Sequence, residues 1–452
     1  MAVPATEESV RLLTGWGRTA PTRARVLRPA SAEQAAALLA GAGPRGGLPR
    51  GLGRSYGDAA QNAGGDVLDM TALDRIGRVE RGVVELGGGA GLEAVIRALL
   101  PQGWFVPVTP GTVHVTAGGA VAADVHGKNH HRDSSFGRHL LGLTLATPSG
   151  ELVEAGPRRR PELFAATVGG MGLTGAVVAL RVELIPVESS WIAVDTARTH
   201  DLEDTMAELA AADSAARYSV AWVDLVVGGA RLGRGIVQHG DHASCDQLGS
   251  GREPLALPSG RRIAAPPAPP GLMGRRSARA FNELWYRRAP RRRHELMPLT
   301  AFFHPLDGLD GWSRLYGPAG LVQHQLVVPF GQEPALVAAV ELLHRRRCPV
   351  CLAVLKRFGE GSAGMLSFPM PGWTLAVDVP AAWSGLGALL DDLDELVCAA
   401  AGRVYLAKDA RLSPERFRQM YPQLDRFLEQ RAAVDPGGRL RSDLGRRLGL
   451  SR

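Results

Sequence analysis

An α+β architecture in two domains is the fold class this sequence predicts, on three observations. The chain has 452 residues, more than a single hydrophobic core organises well. Up to about residue 190, short β-rich runs alternate with helical patterns across glycine-rich turns. Beyond it, longer β-rich runs alternate with amphipathic helices, as expected of an antiparallel sheet layered with helices. Hydrophobic residues make up 45% and charged residues 21%, a globular composition rather than a disordered or membrane-spanning one.

The elements follow in order. After a loose start, VLRPASAEQAAALLAGAG reads as a strand end and a helix, with Ser31 as N-cap and Gln34 in the capping-box position. GGLPRGLGRSYGDAAQ gives a short strand and a glycine turn. VLDMTALDRIGRV and GVVELGGGAGL continue as strands, and LEAVIRALLPQG is an amphipathic helix. The succession of strand, glycines and helix here imitates a Rossmann phosphate turn. Leu92 stands where a third small residue belongs and no acidic residue closes a following strand, which argues against it. LLGLTLATPSGELVEA reads as a hairpin around Pro148-Ser149-Gly150, PELFAATVGG as a helix, and GLTGAVVALRVELIPV as a turn into a long β-rich run. A domain boundary falls near residue 190. Past it, helix DLEDTMAELAAADSAA lies between strands WIAVDTA and YSVAWVDLV. GLVQHQLVVPF, CLAVLKRFG and GWTLAVDVP are strands of a second sheet, alternating with helices PALVAAVELLHRR and GLGALLDDLDELVCAAAG. A last helical stretch and a basic tail end the chain.

Residues 247–296 interrupt this pattern. Proline, glycine and dense arginine leave too little apolar surface for a core, so mobile loops are expected. Arg287, Arg288, Arg291, Arg292 and Arg293 follow Trp285 and Tyr286, either as a solvated loop or as a docking surface for an anionic lipid or phosphate. The net charge of +7, carried by arginine, has two readings as well: an anionic partner, or the codon bias of a GC-rich genome. Nucleic acid is not expected, since no recognition motif accompanies the charge. Cys348 and Cys351 form a CxxC without a second pair or nearby histidine, and read as buried strand cysteines rather than a zinc or redox site. No apolar run is long enough to span a bilayer and MAVPATEESV lacks the layout of a secretory signal, so a cytoplasmic protein is expected.

Two glycine-rich stretches carry the chemistry. Glycines let backbone amides converge on a pyrophosphate, because no Cβ holds the ligand away. Gly51, Gly53, Ser55 and Gly57, beside Arg50 and Arg54, suit that role. The stretch TPGTVHVTAGGAVAADVHGKN, with Gly111, Thr112, Thr116, Gly118 and Gly119, has too many glycines for a helix and too few charges for a surface loop. It reads as chain wrapped around something flat and neutral, and together the two suggest a flavin dinucleotide. A third set, Gly169, Gly170, Gly172 and Gly175, lies in VGGMGLTG.

GLGRSYGDAAQNAGG, VTPGTVHVTAGGAVAADVHGKNHH, ELFAATVGGMGLTG, YGPAG and LAKDAR resemble the flavin-dependent decaprenylphosphoryl-β-D-ribose 2′-oxidases of actinobacteria, a family of the vanillyl-alcohol oxidase-like FAD superfamily. The resemblance runs from about residue 15 to the C-terminus. It implies a two-domain fold of the vanillyl-alcohol oxidase type, with an FAD-binding domain of residues 1–190, an antiparallel-sheet substrate domain of residues 191–404, and a segment 405–452 returning to the first. It also implies hydride transfer from the ribose C2 to flavin N5, giving a 2-keto sugar that a separate short-chain NAD(P)-dependent reductase converts to arabinose. That is the oxidising half of an epimerisation that makes the arabinose donor for cell-wall arabinan. Covalent flavoproteins of the superfamily often carry a histidine in the first glycine turn. Arg54 occupies that place here, so non-covalent FAD is expected.

Hydride loss from a carbinol leaves a proton on oxygen, so the site needs a base or a cation, and reduced flavin needs positive charge near N1. His126, Lys128 and Lys408 are the candidates from the residues alone. By resemblance, Lys408, His126 and Tyr56 are catalytic. Arg50, Gly51, Leu52, Gly53, Arg54, Ser55, Tyr56, Gly57, Pro110, Gly111, Thr112, Thr116, Gly118, Gly119, Ala123, His126, Gly127, Asn129, Gly175, Val178 and Tyr405 line the cofactor. Lys128, Trp222, Tyr316, Gln323, Gln325, Lys356, Phe358, Thr374, Ala376 and Lys408 match substrate-side positions, where amides and a cation bind sugar hydroxyls and phosphate. His130, His131 and His139 have no such support, and no metal is expected. Two departures stand out: Thr374 replaces an asparagine and Ala376 a cysteine of the mycobacterial members. The first leaves sugar or lipid recognition open, and the second removes a thiol that covalent inhibitors attack. Two other readings remain at this point: an FAD-dependent oxidase of a soluble sugar or nucleoside, and a catalytically silent flavin-binding protein.

Overall fold

Eight strands form the largest sheet, in the order Arg292–Pro298, Trp191–Arg198, Gly235–His242, Tyr218–Val223, Ala353–Phe358, Gly372–Pro380, Leu321–Pro329 and Arg403–Val404. Every pairing in it is antiparallel. The computed structural model describes residues 7–257, 262–266, 268–269 and 271–451. Because side chains alternate across a strand, register decides which residues share a face. Lys356 lies opposite Thr374, Val354 opposite both Trp222 and Ala376, and Gln325 and Gln323 opposite Ala376 and Asp378. One face therefore carries Trp222, Lys356, Phe358, Thr374, Ala376, Asp378, Gln323 and Gln325. The other face, with Leu326, Leu355, Leu375 and Val377, is buried under helices Leu202–Ala215, Glu333–Arg345 and Leu386–Ala399.

Two smaller sheets belong to the N-terminal part. Glu7–Leu13, Thr22–Arg28, Asp66–Asp69 and Gly47–Arg50 form one, with parallel pairing on both sides of Asp66–Asp69. Val83–Gly87, Ala176–Glu183, Leu140–Ala146 and Leu152–Ala155 form the other, antiparallel, including the hairpin expected around Pro148-Ser149-Gly150. Helix Ala32–Ala40 starts at Ser31, whose Oγ accepts from Gln34 N at 3.2 Å. The Gln34 side chain reaches back to Ala30 N, one residue further than a capping box requires. The glycines that imitate a Rossmann turn serve chain packing instead: a Cβ on Gly88 would stand 1.8 Å from Val177 O.

The end of the chain closes back on the first sheet. Gly47 N donates to Arg439 O at 2.8 Å and Arg441 N to Gly47 O at 3.1 Å. Asp443 accepts from Ala63 N and Thr22 Oγ1, and Arg447 grips Asp58 through Nε and Nη2 at 2.9 and 2.8 Å.

Two expectations need correction. Within residues 247–296 the structure contains helix Arg275–Arg288, and strand Arg292–Pro298 begins there and pairs along Trp191–Arg198. Composition hid this helix because polar groups anchor it. Asn282 Nδ2 donates to Asp224 Oδ1 at 2.9 Å, Glu283 pairs with Arg234 at 2.6 Å, and Tyr286 OH donates to Thr199 O at 2.9 Å. Cys348 and Cys351 are buried as expected, but in the loop between helix Glu333–Arg345 and strand Ala353–Phe358 rather than in a strand.

Candidate functional site

Three separate stretches meet above the polar face of the large sheet. The loop Gly51–Gly57 presses on the segment that carries Lys408: Tyr56 N donates to Ala407 O at 2.8 Å, and a Cβ on Gly57 would stand 2.0 Å from Asp409 O. Only glycine permits that approach. It places Lys408 Nζ 3.9 Å above the Tyr56 ring. The stretch Thr109–Asn129 comes from the other side. Thr116 caps the short helix Ala117–Ala122 by accepting from Gly119 N at 3.1 Å, and a Cβ on Gly51 would meet Thr116 Oγ1 at 2.2 Å, so the two glycine stretches touch.

His126 is the hub. Its Nε2 lies 3.0 Å from Gln325 Nε2 and its Nδ1 lies 3.1 Å from Lys356 Nζ, while its ring packs on Phe358 at 4.8 Å and on Tyr405 at 5.5 Å. Thr374 Oγ1 donates to Leu326 O at 2.8 Å and so can only accept from Gln325 Nε2, at 3.1 Å. The hydrogen-bond network thus assigns the Gln325 amide nitrogen to the His126 side, where His126 Nε2 accepts from it. Thr374, the departure from the family pattern, orients Gln325 from below. Tyr405 OH donates to Ala123 O at 2.8 Å and stacks on Phe368 at 4.7 Å.

The electrostatics are those of buried cations with one carboxylate. Burial pushes Lys356 down to about 7, helped by Lys408, and Lys128 down to about 7, helped by Lys356. Burial also brings Lys408 down to about 8, against the pull of Asp378. His126 is held well below its ordinary value by burial and by Lys356, so it stays neutral. Burial raises Tyr56 well above 10, with Asp378 adding to the effect. Asp378 is itself pushed up to about 7 by burial; its Oδ1 accepts from Gln323 Nε2, while its Oδ2 has no hydrogen-bond partner among the described residues.

Not every expected residue joins this cluster. Lys128 turns to Phe302, donating to its carbonyl at 2.6 Å with Nζ 4.0 Å from the ring. Arg50 braces its own loop through Ala60 O and Thr14 O, and Arg54 lies over Trp16 at 4.0 Å. Leu52 is exposed. Ser55, Thr112 and Asn129 make local contacts: Ser55 O accepts from Trp16 N, Thr112 Oγ1 from His114 N, and Asn129 donates to Pro107 O and Asp133. Pro110 and Gly111 sit in the loop before them, with open space where a Gly111 Cβ would stand. Gly127 O accepts from Lys356 Nζ at 3.4 Å, and Gly118 N donates to Gly88 O. Gly175 takes φ +144 at the start of strand Ala176–Glu183, and Val178 in that strand packs with Ala35 and Leu39, inside the core. Tyr316 joins Tyr56 and Leu321 in an aromatic cluster flanked by Trp16 and Trp312. Trp222 shares the polar face, one strand beyond Lys356.

Sequence reasoning passed over two residues. Asp378 lies two positions after Ala376 on the same face, so strand alternation alone points to it. Asp124, with φ +39, accepts from Ser135 Oγ, Gly137 N, Ser362 Oγ and Ser367 Oγ, and fixes the turn that presents His126. It carried no signal, since its partners are distant in sequence.

The touching glycine stretches, converging hydroxyls and lysine-rich interior suit an anionic dinucleotide with a flat ring system. A family model described as an FAD binding domain matches residues 23–156, and the chain is an FAD-dependent oxidoreductase. Decaprenylphosphoryl-β-D-ribose oxidase of Mycolicibacterium smegmatis is 41% identical over 454 residues, covering 98% of each chain. The uncharacterised protein in the mprA 5′ region of Streptomyces coelicolor is 46% identical over 371 residues, 79% of this chain and 100% of that one. Cytokinin dehydrogenase 2 of Oryza sativa subsp. japonica is 29% identical over 236 residues, 48% of this chain and 41% of its own. The chain belongs to the decaprenylphosphoryl-β-D-ribose oxidase family.

Proposed function

We propose that this enzyme oxidises the 2-hydroxyl of decaprenylphosphoryl-β-D-ribose, or a related polyprenylphosphoryl ribofuranose, to the 2-keto sugar. The observation that carries this reading is the polar sheet face, where Gln323, Gln325, Lys356 and Asp378 stand beside His126 and Lys408. Bound FAD supplies the two-electron acceptor. Residues 1–190 with 405–452 form the half that holds it, residues 191–404 form the substrate half, and Arg54 in place of a histidine supports non-covalent attachment. In this reading Lys408 takes the hydroxyl proton. Its amine, at about 8, is partly free near neutrality, whereas both nitrogens of His126 are already engaged and Tyr56 keeps its proton. Lys356 meets the phosphate, and the Gln323 and Gln325 amides meet sugar hydroxyls.

A short-chain NAD(P)-dependent reductase acting on the 2-keto product belongs to the same proposal, as does a cytoplasmic location with peripheral membrane contact through residues 247–296. Among the described residues no helix is long and apolar enough to cross a membrane. Anaerobic mixing of FAD-loaded enzyme with the lipid-linked ribose should bleach the flavin absorbance. Flavin that stays oxidised with this substrate, yet bleaches with a free ribofuranoside or nucleoside, would replace the proposal with a soluble-substrate oxidase. Thr374 gives that second reading its footing, because its hydroxyl is spent on Gln325 and Leu326 O.

A further inference from the structure

The charge of the whole chain is matched by one short stretch. From Arg275 to Arg293 there are eight arginines and a single acid, Glu283, a balance of +7 equal to that of the entire sequence. The remainder is neutral overall, which a uniform codon bias does not produce. Most of this charge sits on or just after helix Arg275–Arg288.

That helix has two unlike sides. Ala278 and Asn282 face the protein, and Glu283 is held by Arg234. Phe281, Leu284 and Trp285 face outward, 53%, 59% and 49% exposed, with the Phe281 and Trp285 rings stacked 6.1 Å apart. The spacing puts all three on one stripe. Arg287 pairs with Glu283, Arg292 with Glu208 and Arg293 with Glu295. Arg276, Arg279, Arg288 and Arg291 have no carboxylate partner among the described residues. An apolar aromatic stripe continued one turn on by Arg288, with further unpaired arginines in the same segment, suits the interface of an anionic bilayer: the rings enter the acyl boundary and the guanidinium groups meet lipid phosphates. A second copy of this chain would oppose arginine to arginine. The helix also begins beside the candidate site, since Met273 packs both on the cluster of Tyr56, Tyr316 and Leu321 and on that of Val226, Ala278 and Cys351.

We propose that the Phe281, Leu284 and Trp285 face of this helix docks the enzyme on an anionic membrane surface, turning the Tyr56 and Tyr316 side of the site toward the bilayer. Delivery of a substrate whose tail stays in the membrane rests on the function proposed above; the docking itself does not. FAD-loaded enzyme should co-sediment with phosphatidylcholine vesicles that contain phosphatidylglycerol, less so as salt rises, and not with phosphatidylcholine alone. The double variant Phe281→Ser, Trp285→Ser should reduce binding about tenfold or more. Arg276→Glu with Arg288→Glu should do the same and guards against misfolding of the first. Both variants should bleach with a short-chain, water-soluble ribosyl phosphate as the unmodified enzyme does. Equal binding to neutral vesicles, binding that neither variant reduces, or a concentration-dependent dimer abolished by Phe281→Ser, Trp285→Ser would overturn the docking. Vesicle binding by an enzyme that no ribosyl phosphate bleaches would leave the docking standing and remove the substrate reading.

Discussion

Burial acts in opposite directions on Lys408 and Asp378. It favours the free amine of the first, at about 8, and the protonated carboxyl of the second, at about 7, and each charge partly offsets the cost of the other. If Lys408 takes the proton, the rate of flavin bleaching under saturating substrate should rise with pH through about 8 and level off above it. Lys408→Met should abolish that rise and slow bleaching about 10²–10⁴-fold with FAD still bound. Asp378 allows a stability prediction with a definite sign. Its folded value lies above its ordinary 3.8, so ionisation opposes folding, and stability falls as pH rises from about 4 to about 7. Asp378→Asn should therefore melt close to the unmodified protein at pH 4 and above it at pH 8, by at most a few kcal/mol. Thermal melts of the apoprotein at the two pH values measure this, and a variant less stable at pH 8 would contradict it.

Strands and loops set how closely these groups approach. Side chains alternate across the sheet, so a single register brings residues from Trp222 to Asp378 onto one face. The glycine loop closes on the segment that carries Lys408, and Gly57 is its tightest point, against Asp409 O. Gly57→Ala should cost about 1–3 kcal/mol by overpacking. It should also move Tyr56 away from Lys408, seen as a lower melting temperature together with a lower FAD content after purification. A variant that melts lower but retains full FAD would show that the contact supports folding only. At this scale most elements were readable from local patterns: the hairpin at Pro148-Ser149-Gly150, the helix after Ser31, and five of the eight strands of the large sheet. Helix Arg275–Arg288 was not, because its anchors, Asp224, Arg234 and Thr199, are distant in sequence and polar, so no apolar stripe faced the core.

Across the whole molecule the chain ends where the site begins. Arg447 reaches Asp58, next to the glycine loop, and also lies 2.9 Å from Asp409, next to Lys408. This one guanidinium ties three segments together. Arg447→Met should destabilise by about 2 kcal/mol, between the values for exposed and buried pairs, since the groups are partly buried. The loss should be smaller when FAD is added during the melt, because a ligand that binds only the folded state offsets destabilisation. An FAD affinity equal to that of the unmodified protein would show that the clamp does not shape the cofactor loop.

The sequence by itself determined the α+β class, the glycine stretches and the strand alternation, because each is written in local periodicity or in a contiguous motif, while Tyr56 and Lys356 were singled out only by the family resemblance. Only the tertiary structure decided that His126 stands between Gln325 and Lys356, that Thr374 orients Gln325, that Asp378 faces the same interior, and that Lys128 turns to Phe302. Those facts depend on strand register and on chain segments hundreds of residues apart. Proximity between such segments follows from how the whole core packs, which no local pattern encodes.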